Sequence, residues 1–317
     1  MKGLMMDSQL TITSIMKHAD KIHGASEIVS FTADNPTHRY TYKDAFKRTR
    51  QLANALNALK LKKGDRIATL AWNDYRHFEL YYAISCSGQI CHTINPRLFP
   101  EQIEFIINHA EDKWIFTDPL FVPLLEALKD KLTSVEGYVV LTSEESMPEC
   151  SLENVHCYET FIKNQSEQFD WPELEEETAS SMCYTSGTTG NPKGVVYSHR
   201  STVLHSLVGS LPDAMNLSGS DVIMPIVPMF HVNAWGVPYA ASMLGCKLVF
   251  PGPFTDGESI YNLINDEGVN NLLGVPTVWL GLLNYLDEKD ITLKNVNSVL
   301  VGGSAAPKSM IKDFQEK

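Results

Sequence analysis

The residues best equipped for chemistry fall in one window, Tyr184-Thr-Ser-Gly-Thr-Thr-Gly-Asn-Pro-Lys-Gly194. Gly187, Gly190 and Gly194 let backbone amides come close to a ligand and take positive φ at little cost. Successive amides in such a turn make an anion-binding nest, and the hydroxyls of Thr185, Ser186, Thr188 and Thr189 add donors to the same concavity. Lys193 supplies a mobile point charge suited to phosphate. A plain Gly/Ser/Thr surface loop is the competing reading of this composition. Tethering favours the phosphate loop, because apolar Met182-Cys183-Tyr184 precedes it and strand-like Val195-Val196-Tyr197 follows. Neither common nucleotide motif fits. A Walker A loop needs GxxxxGK followed by Ser or Thr, whereas Lys193 sits between Pro192 and Gly194. The GxGxxG of a Rossmann unit is absent.

Further candidates lie downstream. In Pro228-Met-Phe-His-Val-Asn-Ala-Trp-Gly236, His231, Asn233 and Trp235 occupy a passage from strand to helix, where α/β sheets bind ligands. A lone histidine beside Phe230 is more often a packed, hydrogen-bonded residue than a catalyst, and Trp235 also reads as an ordinary helix-packing aromatic. Gly302-Gly-Ser-Ala-Ala-Pro307 is small and flat behind an apolar strand. A tight strand-to-helix turn explains it, and small side chains would equally let a flat purine lie against the backbone. Gly274-Val-Pro-Thr277 by itself is a turn.

The elements that must position these groups follow from periodicity. Strands are expected at 27–31, 66–71, 90–94, 114–117, 138–142, 221–225, 247–250, 271–274 and 299–303. Helices are expected at 10–23, from a capping box at Thr41 and Asp44 to Leu59, and at 77–87, 101–109, 120–128 and 158–163. Later ones fall at 200–209, around Tyr239 to Leu244, at 259–267, at 276–285 and from Met310 onward. This alternation predicts an α/β fold with largely parallel sheets. The acidic stretch 143–178 reads as a solvated connector, so residues 1–170 and 171–317 are expected to form two α/β subdomains. The last helix stops at Lys317 with neither a C-cap glycine nor a polar tail, so the chain is expected to be a piece of something longer.

Bulk properties narrow the function classes. A chain of 317 residues with 44% apolar content can bury a large core. Its net charge, 26 − 38 = −12, argues against a dedicated nucleic-acid binder. The six cysteines are scattered with no CxxC pair, which predicts reduced thiols rather than zinc ligands or a disulfide scaffold. No apolar stretch reaches membrane-span length and no secretory signal is apparent, so a cytoplasmic location is expected.

Extended by Val195, the window reads YTSGTTGNPKGV and resembles the signature phosphate loop of the adenylate-forming superfamily. That superfamily comprises acyl-CoA synthetases, luciferases and peptide-synthetase adenylation domains. MFHVNAWG and GGSAAP follow in the family's order within residues 30–317, and together they resemble medium- to long-chain fatty acyl-CoA ligases. The resemblance implies the large N-terminal domain of the acyl-CoA synthetase-like fold, with mostly parallel sheets flanked by helices. It also implies a reaction. A carboxylate oxygen attacks the α-phosphorus of ATP, pyrophosphate leaves, and the CoA thiol then attacks the acyl-adenylate.

On that resemblance Thr185, Ser186, Gly187, Thr188, Thr189, Gly190 and Lys193 grip the β- and γ-phosphates, and Lys193 and His231 serve catalysis. His231, Val232 and Trp235 line the acyl pocket, with Trp235 as its gate. Ser304, Ala305, Ala306 and Pro307 face adenine, while Gly274, Gly302 and Gly303 border the acyl carboxylate end. A small-molecule carboxylic (fatty) acid, ATP, CoA and Mg2+ are the implied substrates and cofactor, and a homodimer is compatible with the family. The family's Tyr-Gly-x-Thr-Glu segment, ribose-binding aspartate and C-terminal lysine have no counterpart in residues 1–317. The magnesium ligand is therefore unassigned, and the chain alone is expected not to turn over. Adenylation of a short thioether, aryl or amino acid competes with the fatty-acid reading, as does a non-catalytic nucleotide-binding protein. An amino-acid activator would want an aspartate in its pocket, and Val232, Asn233, Ala234 and Trp235 offer no carboxylate.

Overall fold

The capping box expected at Thr41 forms. The Thr41 hydroxyl accepts from the Asp44 amide at 3.3 Å, and Asp44 accepts from the Thr41 amide at 3.1 Å, so two amides at the helix start find partners. The computed structural model describes residues 3–32, 34, 37–185 and 192–317. Its first part runs α1 (Ile12–Ile22), β1 (Glu27–Ser30), β2 (His38–Thr41), α2 (Tyr42–Ala58), β3 (Arg66–Leu70), α3 (Tyr75–Cys86) and β4 (Ile90–Thr93). There follow α4 (Pro100–Ala110), β5 (Trp114–Thr117), α5 (Val122–Leu128), β6 (Gly137–Val140), β7 (Val155–Cys157), α6 (Tyr158–Lys163), β8 (Ala179–Thr185) and β9 (Lys193–Ser198). The rest is α7 (His199–Gly209), β10 (Val222–Pro225), α8 (Val232–Trp235), α9 (Val237–Leu244) and β11 (Lys247–Phe250). It ends with α10 (Gly257–Glu267), β12 (Asn271–Gly274), α11 (Pro276–Lys289), β13 (Ser298–Val301) and α12 (Lys308–Glu316).

The strands form a seven-stranded sheet, β7-β6-β5-β3-β4-β8-β9, and a six-stranded sheet, β13-β12-β10-β11-β1-β2. Pairing is parallel except for β1 with β2 and β8 with β9. The expected α/β architecture with mostly parallel sheets is therefore present. The two sheets do not divide the chain at residue 170. β1 pairs with β11, and β8 with β4, so each sheet draws on both halves.

Burial explains the layering. All twelve residues of α3 are buried, as a helix wedged between two sheets must be. Around it lies a central core that includes Phe46, Phe78, Tyr82, Tyr239 and Leu248. A second core, with Ile260, Trp279, Leu282 and Met310, sits under α10, α11 and α12 outside the six-stranded sheet. A third, with Ile103, Ile106 and Leu125, sits under α4 and α5 outside the other. The order is helix, sheet, helix, sheet, helix. All six cysteines are free, and among the described residues no helix is long and apolar enough to cross a membrane.

Polar ties fix the sheets against each other. Past the end of β3, the Asn73 amide donates to the carbonyls of Pro225 and Val227, each at 2.9 Å, and its oxygen accepts from the Met229 amide at 2.7 Å. Tyr81 donates to the Met229 carbonyl, Tyr42 to Cys246 at 2.9 Å and Tyr82 to Pro238 at 3.1 Å. Helices α2 and α3 thus hold the chain that leaves β10.

Beside this seam lies a cavity of about 300 Å³ bounded by Phe31, Trp72, Asp74, Asp118, Leu120 and Leu141. Asp74 caps α3 by accepting from the His77 amide at 2.8 Å, and Asp118 accepts from the Trp72 amide at 2.7 Å. Burial pushes Asp74 up to about 6. Burial and then the Asp74 charge push Asp118 well above the ordinary carboxylate range.

Replacing Asn73 by alanine leaves one buried amide and two buried carbonyls unpaired, at ~1–3 kcal/mol for each orphaned group. With partial rehydration, Asn73→Ala is expected to lower the unfolding free energy by about 3 kcal/mol in urea titrations. A loss below ~1 kcal/mol would show that these bonds are not holding the seam. A second expectation concerns pH. Carboxyls whose folded pKa is raised stabilise the fold fully below their unfolded value, and that contribution is lost as pH rises through the folded value. Here the loss begins just above the ordinary aspartate value of about 4, is complete near pH 6 for Asp74 and continues to higher pH for Asp118. Asp118→Asn keeps an acceptor for Trp72 and removes the charge. It should raise the melting temperature by about 2 °C at pH 8, with a smaller gain at pH 5. Calorimetry giving equal shifts at both pH values would refute the assignment.

Candidate functional site

The hydroxyl- and glycine-rich window joins β8 to β9. Thr185 pairs with Lys193 and Tyr184 with Gly194 in the antiparallel hairpin. Ser186, Gly187, Thr188, Thr189 and Gly190 lie outside the described residues. At the hairpin's base, Gly194 admits a close approach, since a Cβ there would meet Tyr184 Cζ at 3.1 Å and Met182 Sδ at 3.2 Å. The Tyr184 hydroxyl is 2.6 Å from His109 Nδ1, which anchors the base to α4. Burial, with the Asp112 charge behind it, pushes that phenol up to about 12, so it stays neutral. Thr185 and Lys193 are exposed, and among the described residues the Lys193 side chain has no ion pair. An exposed lysine beside a run of hydroxyls can meet an incoming polyanion.

The chain leaving β10 takes an unusual path. His231 is extended, at φ −125° and ψ 115°. Val232, Asn233, Ala234 and Trp235 then adopt φ of 48°, 51°, 50° and 53°, and Gly236 has φ 73°. α8 is therefore one turn of left-handed helix. For residues with a Cβ this conformation costs ~1–2 kcal/mol each. Its internal bonds run from the Ala234 amide to His231 at 3.1 Å and from the Gly236 amide to Asn233 at 3.0 Å. The Asn233 side chain donates to Ser181 Oγ at 2.8 Å and accepts from Cys183 Sγ at 3.4 Å. An ordinary strand-to-helix passage was the expectation here, and right-handed helix begins only at Val237.

This turn sets the positions of several sequence-derived candidates. His231 and Val232 are exposed at its start, and Trp235 at its end is half-buried. A Cβ on Gly302 would fall 2.5 Å from Trp235 Cη2, so the indole rests on the Gly302 backbone. Gly274 and Gly302 meet at the ends of β12 and β13, where the Gly302 amide donates to the Gly274 carbonyl at 3.2 Å. Gly303 has φ 81°, a left-handed position that suits glycine. Ser304, Ala305 and Pro307 are exposed, Ala306 is half-buried, and Pro307 caps α12.

The structure thus brings Trp235, Gly274, Gly302 and Gly303 together at the carboxyl ends of parallel strands, the usual place for ligands in an open α/β sheet. Thr185 and Lys193 belong to the other sheet and connect to this group through β8, Ser181 and Asn233.

Sequence reasoning missed a neighbouring cavity of about 200 Å³ lined by Tyr197, Thr202, His205, Val232, Trp235 and Tyr239. His205 approaches so closely that a Cβ on Gly236 would meet its Nδ1 at 2.7 Å. One signal was available. Ser201, Thr202 and His205 share one face of α7 by their three- and four-residue spacing. Ser181 carried no signal, because a single serine in an apolar strand is unremarkable until its partner is known.

The family described as AMP-binding enzyme matches residues 17–317. The chain is 49% identical over 316 residues to a medium-chain-fatty-acid–CoA ligase of Ectopseudomonas oleovorans, covering all of this chain and 58% of that protein. It is 47% identical over 317 residues to a 3-methylmercaptopropionyl-CoA ligase of Ruegeria lacuscaerulensis, covering 59% of it. The chain therefore spans less than two thirds of the length of these relatives. A solved anthranilate CoA ligase in complex with anthranoyl-AMP superposes with a TM-score of 0.88 over all of this chain and 59% of that one. At 21% identity that likeness establishes the fold alone. With the family match running from residue 17 to the last residue, the chain belongs to the AMP-binding enzymes.

Proposed function

We propose that the protein carrying this chain activates a carboxylic acid of medium or shorter length with ATP and passes the acyl group to CoA. The observation that carries this reading is the contact of Trp235 with Gly302, which joins an apolar cavity to the GGSAAP segment. The names of the relatives at 47–49% identity point the same way. In the first step a carboxylate oxygen attacks the α-phosphorus, and the bond from that phosphorus to the pyrophosphate oxygen breaks. In the second, the CoA sulfur attacks the acyl carbonyl carbon and AMP departs.

Each candidate has a role on this reading. Thr185, Ser186, Gly187, Thr188, Thr189, Gly190 and Lys193 receive the β- and γ-phosphates, whose crowded charge needs amide, hydroxyl and ammonium donors. Ser304, Ala305, Ala306 and Pro307 offer a flat surface to adenine, and Gly274, Gly302 and Gly303 leave room for the carboxylate end. His231, Val232 and Trp235 border the acyl group. Among the described residues no group of three or more His, Cys, Asp or Glu converges, so the protein ligand for magnesium is unassigned. Six unpaired thiols suit a reducing compartment such as the cytoplasm.

The size of the pocket favours a short acid, with the thioether acid of the Ruegeria relative as a second reading. At about 200 Å³ the cavity lies below the ~300–1,000 Å³ of common small-molecule sites, and Thr202 and His205 add two polar groups to its mostly apolar lining.

The direct test is ATP–pyrophosphate exchange by the full-length protein, with straight-chain acids from acetate to palmitate and with 3-methylthiopropionate. Exchange is expected to peak between butyrate and decanoate, and the absence of exchange with every acid would overturn the proposal. Lys193→Met should reduce exchange about 100-fold, the scale of losing one positioned charge donor. Near-normal exchange would remove its assigned role. Trp235→Ala should shift the preference toward longer acids, and an unaltered chain-length profile would dispose of the gate.

A further inference from the structure

We propose that Asn233 is the positioning residue that holds the acyl side of the site in register with the phosphate side, by pinning the left-handed turn α8 to strand β8. The kinetic part of this inference rests on the adenylation reading above. The structural part does not.

The turn needs an external hold. Four consecutive residues with a Cβ lie in the left-handed region, among them the β-branched Val232, for which that conformation is least favourable. Strained backbone of this kind persists only where its surroundings over-determine it. Asn233 is the member of the four that best tolerates the conformation, because asparagine visits it more readily than other residues with a Cβ. Tolerance alone does not account for its side chain, which is 6% exposed and hydrogen-bonded at both ends of the amide. Nδ2 donates to Ser181 Oγ at 2.8 Å, and Oδ1 accepts from Cys183 Sγ at 3.4 Å.

Both partners belong to β8, just before Tyr184 and Thr185 lead into the glycine-rich window. Cys183 is held in turn, its Sγ lying 3.0 Å from Thr93 Oγ1 on β4. One buried carboxamide therefore joins the strand before the phosphate window to the turn carrying His231 two residues upstream and Trp235 two residues downstream. In a helical turn the direction of every side chain depends on the backbone hand. Relaxing α8 would swing His231 and Trp235 away together and lift the indole from Gly302. Asn233 faces the protein interior on β8, so its effect on the reaction runs through those two neighbours.

The experiment compares the full-length wild-type protein with Asn233→Gly, Ser181→Ala and the double variant. Glycine accepts the left-handed conformation with ease, so Asn233→Gly removes both ties while lowering backbone strain. Ser181→Ala removes the stronger tie from the other side and leaves α8 chemically intact. Two measurements are made: amide hydrogen exchange in peptides spanning 228–237, and steady-state ATP–pyrophosphate exchange with the best acid. In Asn233→Gly, exchange of the amides in 231–236 should quicken at least about tenfold, with core peptides unchanged. kcat should fall about tenfold or more and the KM for the acid should rise, while the KM for ATP stays within about twofold. Ser181→Ala should show the same pattern more weakly, and the double variant should be no worse than Asn233→Gly, as expected for one shared interaction. Wild-type protection of 231–236 in Asn233→Gly overturns the proposal, as does a wild-type kcat in that variant. A wild-type protein silent toward every acid would count against the adenylation reading only, since the protection measurement still decides whether Asn233 holds the turn. If Asn233→Gly does not fold, Ser181→Ala decides in its place on the same two readouts.

Discussion

A two-sheet protein whose site draws on both sheets depends on how the sheets are locked to each other, and the Asn73 carboxamide is a central part of that lock. Asn73 uses both amide hydrogens and its oxygen on the chain that leaves β10. Apolar packing in the central core is strong but non-directional, and it would tolerate sliding of one sheet over the other. Hydrogen bonds to three successive alternate positions, Pro225, Val227 and Met229, do not. They fix the trajectory on which His231, the left-handed turn and Trp235 all follow.

A buried ionic network stiffens the same seam from beneath. Arg48 meets Glu79 at 2.7 Å and Glu159 at 3.0 Å, while Arg76 meets Asp34 at 3.0 Å and Glu159 at 2.9 Å. Burial alone would raise the Asp34 carboxyl, and the Arg76 guanidinium overcomes it and holds the group at about 2. Such pairs contribute less to net stability than to geometry, because desolvation offsets their attraction, whereas removing one partner strands a buried charge. Their placement links α2, α3 and α6 to the chain just past β1. The helix layer therefore behaves as a rigid spacer between the sheets.

Much of this was legible in the sequence because local signals and global fold agree. Strands such as Arg66 to Leu70 and Lys247 to Phe250 are apolar runs between helix stops, and Thr41 with Asp44 announces α2 directly. β2 and β7 were illegible. Each is an edge strand of three or four residues, His38–Thr41 or Val155–Cys157, too short and too polar to show a period. The interleaving of the sheets was hidden as well, because strand partnership is a long-range property and β1 gives no local hint that it pairs with β11. At the site, glycine spacing identified the approach of Gly302 and Gly274 but not what approaches them. The left-handed turn was beyond reach. Val232, Ala234 and Trp235 have no preference for that conformation, and it is imposed by Ser181 and Cys183 some fifty residues earlier.

On the adenylation reading, this division of labour has a mechanistic consequence. The groups assigned to the phosphates rise from the edge of the seven-stranded sheet, and those assigned to the acyl and adenine ends rise from the six-stranded sheet. In-line attack on the α-phosphorus requires the two ends of the reacting pair to be placed within a fraction of an ångström, and small misplacements cost orders of magnitude in rate. Neither sheet can supply that accuracy alone. It has to come from the contacts that cross between them, and two of these, close to the assigned groups, are asparagine amides. Asn73 governs where the chain leaves β10, and Asn233 governs the hand of the turn that follows. An amide suits both positions because it donates and accepts at once without introducing a charge that the buried seam would have to neutralise.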